Sequence, residues 1–272
     1  MFSTMRIALT IAGSDSGGGA GIQADLKTFH QFGLFGTSVI TAVTAQNTLG
    51  VTRWSAMEPE LITAQLDAVA TDLRPAAVKS GMLADADVVC AVAAGLRTHA
   101  LTPYVLDPVM VATSGDPLLA GDAVAAICRE LLPLATLVTP NLDETGILAG
   151  YAVHDVPGME RAARRLVDEL GARAALVKGG HLAGAETVDV LYDGRELRAF
   201  RRPRIATSST HGTGCTLSAA VAARLALGDP LWAAVERGLA FVHAAIAGAP
   251  GLGSGHGPLN HFVGGAGAAA AG

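Results

Sequence analysis

The segment 207–216, which reads Thr-Ser-Ser-Thr-His-Gly-Thr-Gly-Cys-Thr, contains residue types that can hold a phosphoryl group. Gly212 and Gly214 leave the backbone free to point successive N–H groups at one place. Apolar residues at helical spacing follow, and they predict a helix whose N-terminus adds about +0.5 charge there. These features predict an anion hole that stabilises a transferring phosphoryl group and is formed by Gly212, Thr213, Gly214 and Cys215.

Two side chains of this segment could exchange a proton with a substrate. Cys215 falls in the first helical turn, where the pKa of a thiol can be lowered. A buried cysteine at an ordinary glycine-rich helix start is the alternative interpretation. His211 also has two interpretations, which are a catalytic base and a loop histidine that shapes the turn.

A second glycine-rich segment, 13–21, follows an apolar run at 7–12 and reads Gly-Ser-Asp-Ser-Gly-Gly-Gly-Ala-Gly. Its spacing matches neither a P-loop nor a dinucleotide-binding fingerprint. Its glycines predict a close approach of the backbone to a ligand, and a plain tight turn is the alternative. Asp25, one helical turn further on, could accept hydrogen bonds from a small polar ligand or could be a solvated helix residue.

Polar residues also follow three later apolar runs of the chain. Asp107 and Glu144 carry carboxylates, which suit Mg²⁺ because this ion prefers oxygen ligands. Lys178 and Gly180 offer a cation and a flexible backbone to a nucleotide, and Asn141 stands at a strand end where it could also be a helix cap. Each signal is weak alone, so their shared position at strand ends carries the prediction.

Short apolar strands alternate with amphipathic helices along the whole chain, a pattern typical of a mostly parallel sheet with helices on both faces. Asp193-Gly194 predicts the turn of an antiparallel edge hairpin between 188–192 and 196–201. No linker or repeat is evident, so we expect one α/β domain over 1–263 and a disordered Gly/Ala tail at 264–272. Ligands in such sheets bind beyond the carboxyl ends of the strands.

Composition excludes several classes of function. The 272 residues carry a net charge of −5 without a basic stripe, which gives no support for nucleic-acid binding. No apolar run approaches the roughly 20 residues that span a membrane. The three cysteines are far apart in the sequence and form neither a metal-ligand pair nor a disulfide framework, which is typical of the reducing cytoplasm.

The motifs together resemble the hydroxymethylpyrimidine/phosphomethylpyrimidine kinases of the ribokinase superfamily, which serve thiamine biosynthesis. The resemblance extends from Ile7 to about Phe262, and the matching stretches are 11–15, 18–28, 45–48, 79–83, 107–110, 139–142, 178–181 and 210–219. It implies a three-layer α/β/α fold without a prominent lid domain, use of ATP and Mg²⁺, and usually a homodimer.

The resemblance also implies roles for individual residues. The aminopyrimidine would be held by Asp25, Gln46 and Met82, with Gly13 and Val109 lining the pocket. ATP would be bound by Asn141, Lys178, Gly180 and Thr213, and the metal by Asp107 and Glu144. Cys215 would stand where sugar kinases of the superfamily carry a catalytic aspartate.

The implied reaction is transfer of the ATP γ-phosphoryl group to 4-amino-5-hydroxymethyl-2-methylpyrimidine, and then to its monophosphate. A pyridoxal kinase of the same superfamily is the nearest alternative, and Gln46 and Met82 favour the pyrimidine over it. An alternative of another class is a non-catalytic pyrimidine sensor, which would tolerate loss of Asp107, Glu144 or the anion hole.

Overall fold

A computed structural model describes residues 5–110, 122–180 and 182–263. The predicted Gly/Ala tail at 264–272 and His181 lie outside the described residues. Within the described ranges, no helix combines the length and the apolar character needed to cross a bilayer.

The described residues form one sheet of nine strands in the order β3-β2-β1-β4-β5-β6-β7-β8-β9. Strands β2, β1, β4, β5, β6 and β7 are parallel to one another, and β3, β8 and β9 pair antiparallel. The strands are β1 Ile7–Asp15, β2 Phe35–Asn47, β3 Gly50–Ala56, β4 Ala77–Ser80, β5 Tyr104–Leu106, β6 Leu137–Val138, β7 Ala175–Val177, β8 Glu186–Tyr192 and β9 Leu197–Pro203.

Helices cover both faces of the sheet, as the alternation of helix and strand patterns predicts. They are α1 Gly21–Gln31, α2 Pro59–Asp72, α3 Ala86–Thr98, α4 Ala123–Ala126, α5 Leu142–Ala149, α6 Val156–Asp168, α7 Thr213–Ala226 and α8 Leu231–Ala247. Helix α4 continues as a π-helical turn over Ile127–Leu131, whereas the sequence pattern near 122–131 predicts a single α-helix.

Two hydrophobic cores follow from the period of two along each strand. In β1, Ala8 faces the core formed with α1, α7 and α8, whereas Leu9 and Ile11 face the core formed with α2 to α6. Because both faces are covered, the inner strands are mostly apolar rather than alternating, although β1 and β4 also bury Thr10, Lys79 and Ser80. The expected three-layer α/β/α fold is therefore confirmed.

The sheet has two antiparallel edges, although the sequence predicts only the β8–β9 hairpin. At the other edge β2 extends to Asn47 and turns back into β3 through Thr48 and Leu49. The outer half of β2 is partly exposed and carries Thr44 and Gln46 among its apolar residues. Its hydrophobic pattern is therefore weak, and the apolar pattern of the sequence predicts a strand only over 37–43.

The segment 250–262, which follows α8, returns to the edge of the sheet where the polar residues lie. The His256 N–H donates to Thr48 O at 2.8 Å, and the His211 N–H donates to Gly257 O at 3.1 Å. A Cβ atom on Gly255 would lie 2.1 Å from Thr48 O, so the backbones touch. This segment holds the β2–β3 turn and the 207–216 loop together.

Candidate active site

A cavity of about 590 Å³ opens at the carboxyl ends of the parallel strands. The site residues predicted from the sequence line it, with Asp25 as the exception. Lining members are Gly13, Gln46, Met82, Asp107, Val109, Asn141, Glu144, Lys178, Gly180, Gly212, Thr213, Gly214 and Cys215. The topology therefore brings together residues more than 200 positions apart.

Asp15, at the end of β1, organises the first glycine-rich loop. Its carboxylate accepts hydrogen bonds from the N–H groups of Gly17 at 2.7 Å, Gly19 at 3.0 Å and Ala20 at 2.8 Å. The His211 Nε2 atom lies 2.8 Å from its Oδ2 atom. Burial alone would raise the pKa of Asp15, but these hydrogen bonds and the His211 ring hold it below its usual value.

The two glycine-rich loops meet so closely that side chains are excluded between them. A Cβ atom on Gly212 would lie 1.8 Å from Gly19 O, and one on Gly19 would lie 2.4 Å from the His211 ring. Gly212 also has a φ of +80°, which disfavours any residue with a Cβ atom. Glycine at these two positions is therefore a requirement of the loop contact.

Helix α7 begins directly after Gly212, so the anion-hole loop has the predicted position at a helix N-terminus. Thr213 donates its hydroxyl to Thr210 O at 2.7 Å and ties the turn together. The cavity wall contains Gly212, Thr213, Gly214 and Cys215 in sequence. The Thr213 N–H donates to Thr210 O at 3.2 Å, and the anion hole that these four residues would form stays a prediction.

The expectation of a lowered thiol pKa at Cys215 is wrong for this structure. Burial raises the pKa of Cys215 to about 11, although the charge of Lys79 opposes the rise. Desolvation of the thiolate therefore outweighs its position in the first turn of a helix. The side chain is a thiol at neutral pH.

Three residues that the resemblance assigns to the pyrimidine pocket, Gly13, Met82 and Val109, line the cavity near β2. Met82 is 7% exposed, and a Cβ atom on Gly13 would lie 3.0 Å from its Sδ atom. Val109 packs in the same small cluster. The Thr44 hydroxyl donates to Gln46 Oε1 at 3.1 Å and holds this amide at the cavity wall.

Asp25 is placed differently from the other predicted substrate ligands, because it is fully buried and does not line the cavity. Lys79 Nζ lies 2.8 Å from Asp25 Oδ2, and the Thr10 hydroxyl donates to the same oxygen at 2.5 Å. Burial would lower the pKa of Lys79, but Asp25, with smaller contributions from Cys215 and Asp107, raises the pKa above its usual value. A ligand contact of Asp25 stays a prediction.

An acidic and a basic group meet at the ends of β5 and β7. Lys178 Nζ lies 3.1 Å from Asp107 Oδ1, and the Ser218 hydroxyl donates to Asp107 Oδ2 at 3.2 Å. A Cβ atom on Gly214 would lie 3.1 Å from Lys178 Nζ, so this glycine gives the ammonium group access to the anion hole. A cation and a carboxylate thus stand beside the predicted phosphoryl site.

Glu144 and Asn141 form a reciprocal cap at the start of α5. The Asn141 N–H donates to Glu144 Oε2 at 2.8 Å, and the Glu144 N–H donates to Asn141 Oδ1 at 2.9 Å. Burial raises the pKa of Glu144 to about 7, Lys178 opposes this rise, and Asp107 adds to it. Within the described ranges, no three His, Cys, Asp or Glu side chains form a metal-binding group.

Sequence reasoning missed several residues of the cavity. Apolar side chains also line it, namely Pro203, Ile205, Leu239, Val242 and Ile246. These residues come from the end of β9 and from α8, where apolar side chains are indistinguishable from core residues by pattern alone. Asp15 is missed for another reason, since it stands within a glycine-rich run that already reads as a turn.

The comparison with protein families identifies the chain. Residues 15–260 match the family model described as phosphomethylpyrimidine kinase. The chain belongs to this family. A hydroxymethylpyrimidine/phosphomethylpyrimidine kinase of Rhizobium meliloti (strain 1021) is 55% identical over 94% of this chain and 97% of its own length. The family expected from the motifs is therefore confirmed, and the chain is a kinase.

Solved structures of related kinases have the same fold. A phosphomethylpyrimidine kinase from Clostridium difficile 630 is 40% identical, with a TM-score of 0.79 over 89% of this chain and 99% of its own. An ADP complex of Bacillus subtilis pyridoxal kinase is 37% identical, with a TM-score of 0.87 over 95% and 98% of the two chains. The second match shows that a pyridoxal kinase has the same fold as this chain, so the fold does not distinguish the two substrates.

Proposed function

We propose that this chain transfers the γ-phosphoryl group of ATP to 4-amino-5-hydroxymethyl-2-methylpyrimidine and then to the resulting monophosphate. The observation that carries the proposal is that one cavity is lined both by Gly13, Gln46 and Met82, the predicted ring contacts, and by residues 212–215 of the predicted anion hole. The hydroxymethyl group would point from the ring contacts toward the anion hole. This is the juxtaposition that a phosphoryl transfer requires.

In the first transfer, the hydroxyl oxygen forms a bond to the γ-phosphorus, and the bond from that phosphorus to the bridging oxygen breaks, which releases ADP. Cys215, as the thiolate, would take the hydroxyl proton onto Sγ. The N–H groups of Gly212, Thr213 and Gly214 would stabilise the charge on the transferring oxygens. Lys178 would attract the phosphates, and Asn141 and Gly180 would contact the nucleotide.

Mg²⁺ fits the acidic pair of the cavity. Asp107 and Glu144 both line it and present carboxylate oxygens, the ligands that this ion prefers together with phosphates and water. When bound, the ion would neutralise phosphate charge during transfer. We also propose, from the family resemblance, that the chain works as a homodimer in the cytoplasm.

The first test distinguishes the pyrimidine from pyridoxal. Gln46 can donate and accept through one amide, which matches the ring nitrogen and amino group of an aminopyrimidine. We expect Gln46→Ala to raise KM for the pyrimidine by a factor that corresponds to about 1–3 kcal/mol of binding free energy, because a polar contact is left unpaired. Steady-state assays with each substrate and ATP measure this change and show which substrate the wild-type chain prefers.

Gln65→Ala provides the control for this experiment, because Gln65 bonds the backbone of Ile40 and does not line the cavity. Its KM should equal the wild-type value. An unchanged KM in Gln46→Ala would remove Gln46 from the substrate site, and a wild-type preference for pyridoxal would favour the pyridoxal kinase. Binding without product formation would favour the sensor.

We expect Glu144→Gln to lower kcat and to raise the Mg²⁺ concentration that gives half the maximal rate. The change removes an anionic ligand beside the phosphates, while the amide oxygen can still accept from the Asn141 N–H. The measurement is kcat against Mg²⁺ concentration. Asp155→Asn is the control, since the Asp155 carboxylate also accepts a backbone N–H at a helix start, that of Gly158 in α6, and lies outside the cavity. Wild-type Mg²⁺ dependence in Glu144→Gln would make its role structural.

A further inference from the structure

The His211–Asp15 pair lines the cavity, and the reaction above gives it no role. Its side chains are 8% and 3% exposed, and the Nε2 to Oδ2 distance is 2.8 Å. A carboxylate can only accept, so Nε2 is the protonated nitrogen of the ring. His211 therefore donates to a carboxylate that already receives three backbone N–H groups.

This pair is the centre of a continuous chain of contacts. On one side, Ser16, which follows Asp15, donates its hydroxyl to Gln46 O at 2.7 Å and accepts from the Gln46 N–H at 2.8 Å. On the other side, Gly212 directly follows His211 and begins the anion hole. The predicted ring contact and the predicted phosphoryl contact are thus joined through Asp15 and His211.

The loops also leave no room for independent movement. Gly19 lies against the His211 ring, and Gly212 lies against Gly19 O. The backbone N–H of His211 is fixed by Gly257 O. Loss of the His211 side chain would leave a hole between the loops and remove a charge-assisted hydrogen bond from Asp15.

We propose that His211 is a positioning residue, which acts through Asp15 to hold the ring-binding loop and the anion-hole loop at the distance that phosphoryl transfer needs. The inference rests on the proposed kinase function and deepens it. A displacement near 1 Å of a reacting group can cost about 10²-fold in rate. Because each loop keeps its own ligand contacts, the loss should fall on kcat and leave both KM values nearly unchanged.

The test compares His211→Leu with His211→Gln. Glutamine keeps an N–H donor of similar reach but cannot act as a proton acceptor at that nitrogen. We expect His211→Leu to lower kcat by up to about 10²-fold, and His211→Gln to recover most of it with the wild-type pH profile. Calorimetric titration with the pyrimidine and with AMP-PCP should give near wild-type affinities for both variants.

His99→Leu is the matched control, since His99 Nε2 lies 2.7 Å from Asp67 Oδ1 in a pair on the outer surface. It should keep the wild-type kcat. If His211→Leu does not fold, Asp15→Asn replaces it and should show the same fall in kcat. Where both single variants fold, the double variant His211→Leu/Asp15→Asn should have a kcat no lower than that of either single variant, because the two residues act as one unit.

Several outcomes would overturn the inference. Wild-type kcat in His211→Leu would remove its role, and equally slow Leu and Gln variants would make His211 a proton-transfer group instead. If the fall in kcat of the variants parallels a fall in their melting temperature, or if the change appears in KM instead of kcat, His211 would be a structural residue only. The wild-type chain in the same assay tests the kinase function separately, because the inference compares variants with it.

Discussion

We expect Cys215→Ser to lower kcat by roughly 10²–10⁴-fold, the usual range for a positioned acid–base group. Serine keeps the approximate size and hydrogen bonding of cysteine, but its pKa lies far above that of a thiol. ATP affinity should survive because the anion hole is mostly backbone N–H. Cys215→Asp could retain activity, since a carboxylate can accept the same proton.

If the Cys215 thiolate is the base, kcat of the wild type should depend on pH in a defined direction. The thiol has a pKa of about 11, so the thiolate is a minor form at neutral pH, and its fraction grows as the pH rises. Wild-type kcat should therefore increase with pH below that value, and the increase should be absent in Cys215→Ser. The exposed Cys90 provides the control variant Cys90→Ser, which should behave as wild type.

The contrary result is equally clear. A serine variant with near wild-type kcat and the same pH profile would show that Cys215 only packs at the start of α7. The anion hole and the kinase function would remain, because neither depends on the thiol.

The second large effect is expected in stability. Lys79→Met should lower the free energy of unfolding by about 3–5 kcal/mol, because it leaves the Asp25 carboxylate buried without its partner. Urea denaturation measures the change. An unpaired buried carboxylate prefers its neutral form, so its folded-state pKa would exceed the unfolded value, and the destabilisation should lessen as the pH falls.

Two further variants define this result. Lys79→Met/Asp25→Asn should recover part of the loss, since no buried charge then remains. Arg97→Met breaks the half-exposed ion pair with Glu130 and should change stability far less. A Lys79→Met chain as stable as wild type would mean that Asp25 accommodates its burial without the ammonium group.

The order of the elements and most of the cavity follow from the sequence for a physical reason. Parallel strands place their carboxyl ends at one edge, so Asp107, Asn141 and Lys178 must meet wherever three such strands are neighbours. Gly212 and Gly214 indicate the loop by being glycines, since only this residue type leaves the backbone so free. These predictions need no knowledge of side-chain contacts.

The sequence does not show which side chains that are distant along the chain pair with each other. Nothing local to Asp25 indicates that Lys79, 54 positions away, pairs with it. The pKa of Cys215 depends on burial by the surrounding elements, whereas the helix start is visible in the chain itself. The same limit applies to Asp15, whose role emerges only when His211 is brought against it.

The docking of 250–262 against Thr48 has a consequence for the timing of synthesis. Gly255 and Thr48 are separated by 207 residues. At roughly 5–20 residues per second, the ribosome makes Thr48 about 10–40 s before Gly255. The turn after β2 therefore waits, during translation, for the segment that fixes it and supports His211. The nascent chain can pair its early strands in that interval, but the contact of Gly257 with His211 in the 207–216 loop forms only after 250–262 has been made.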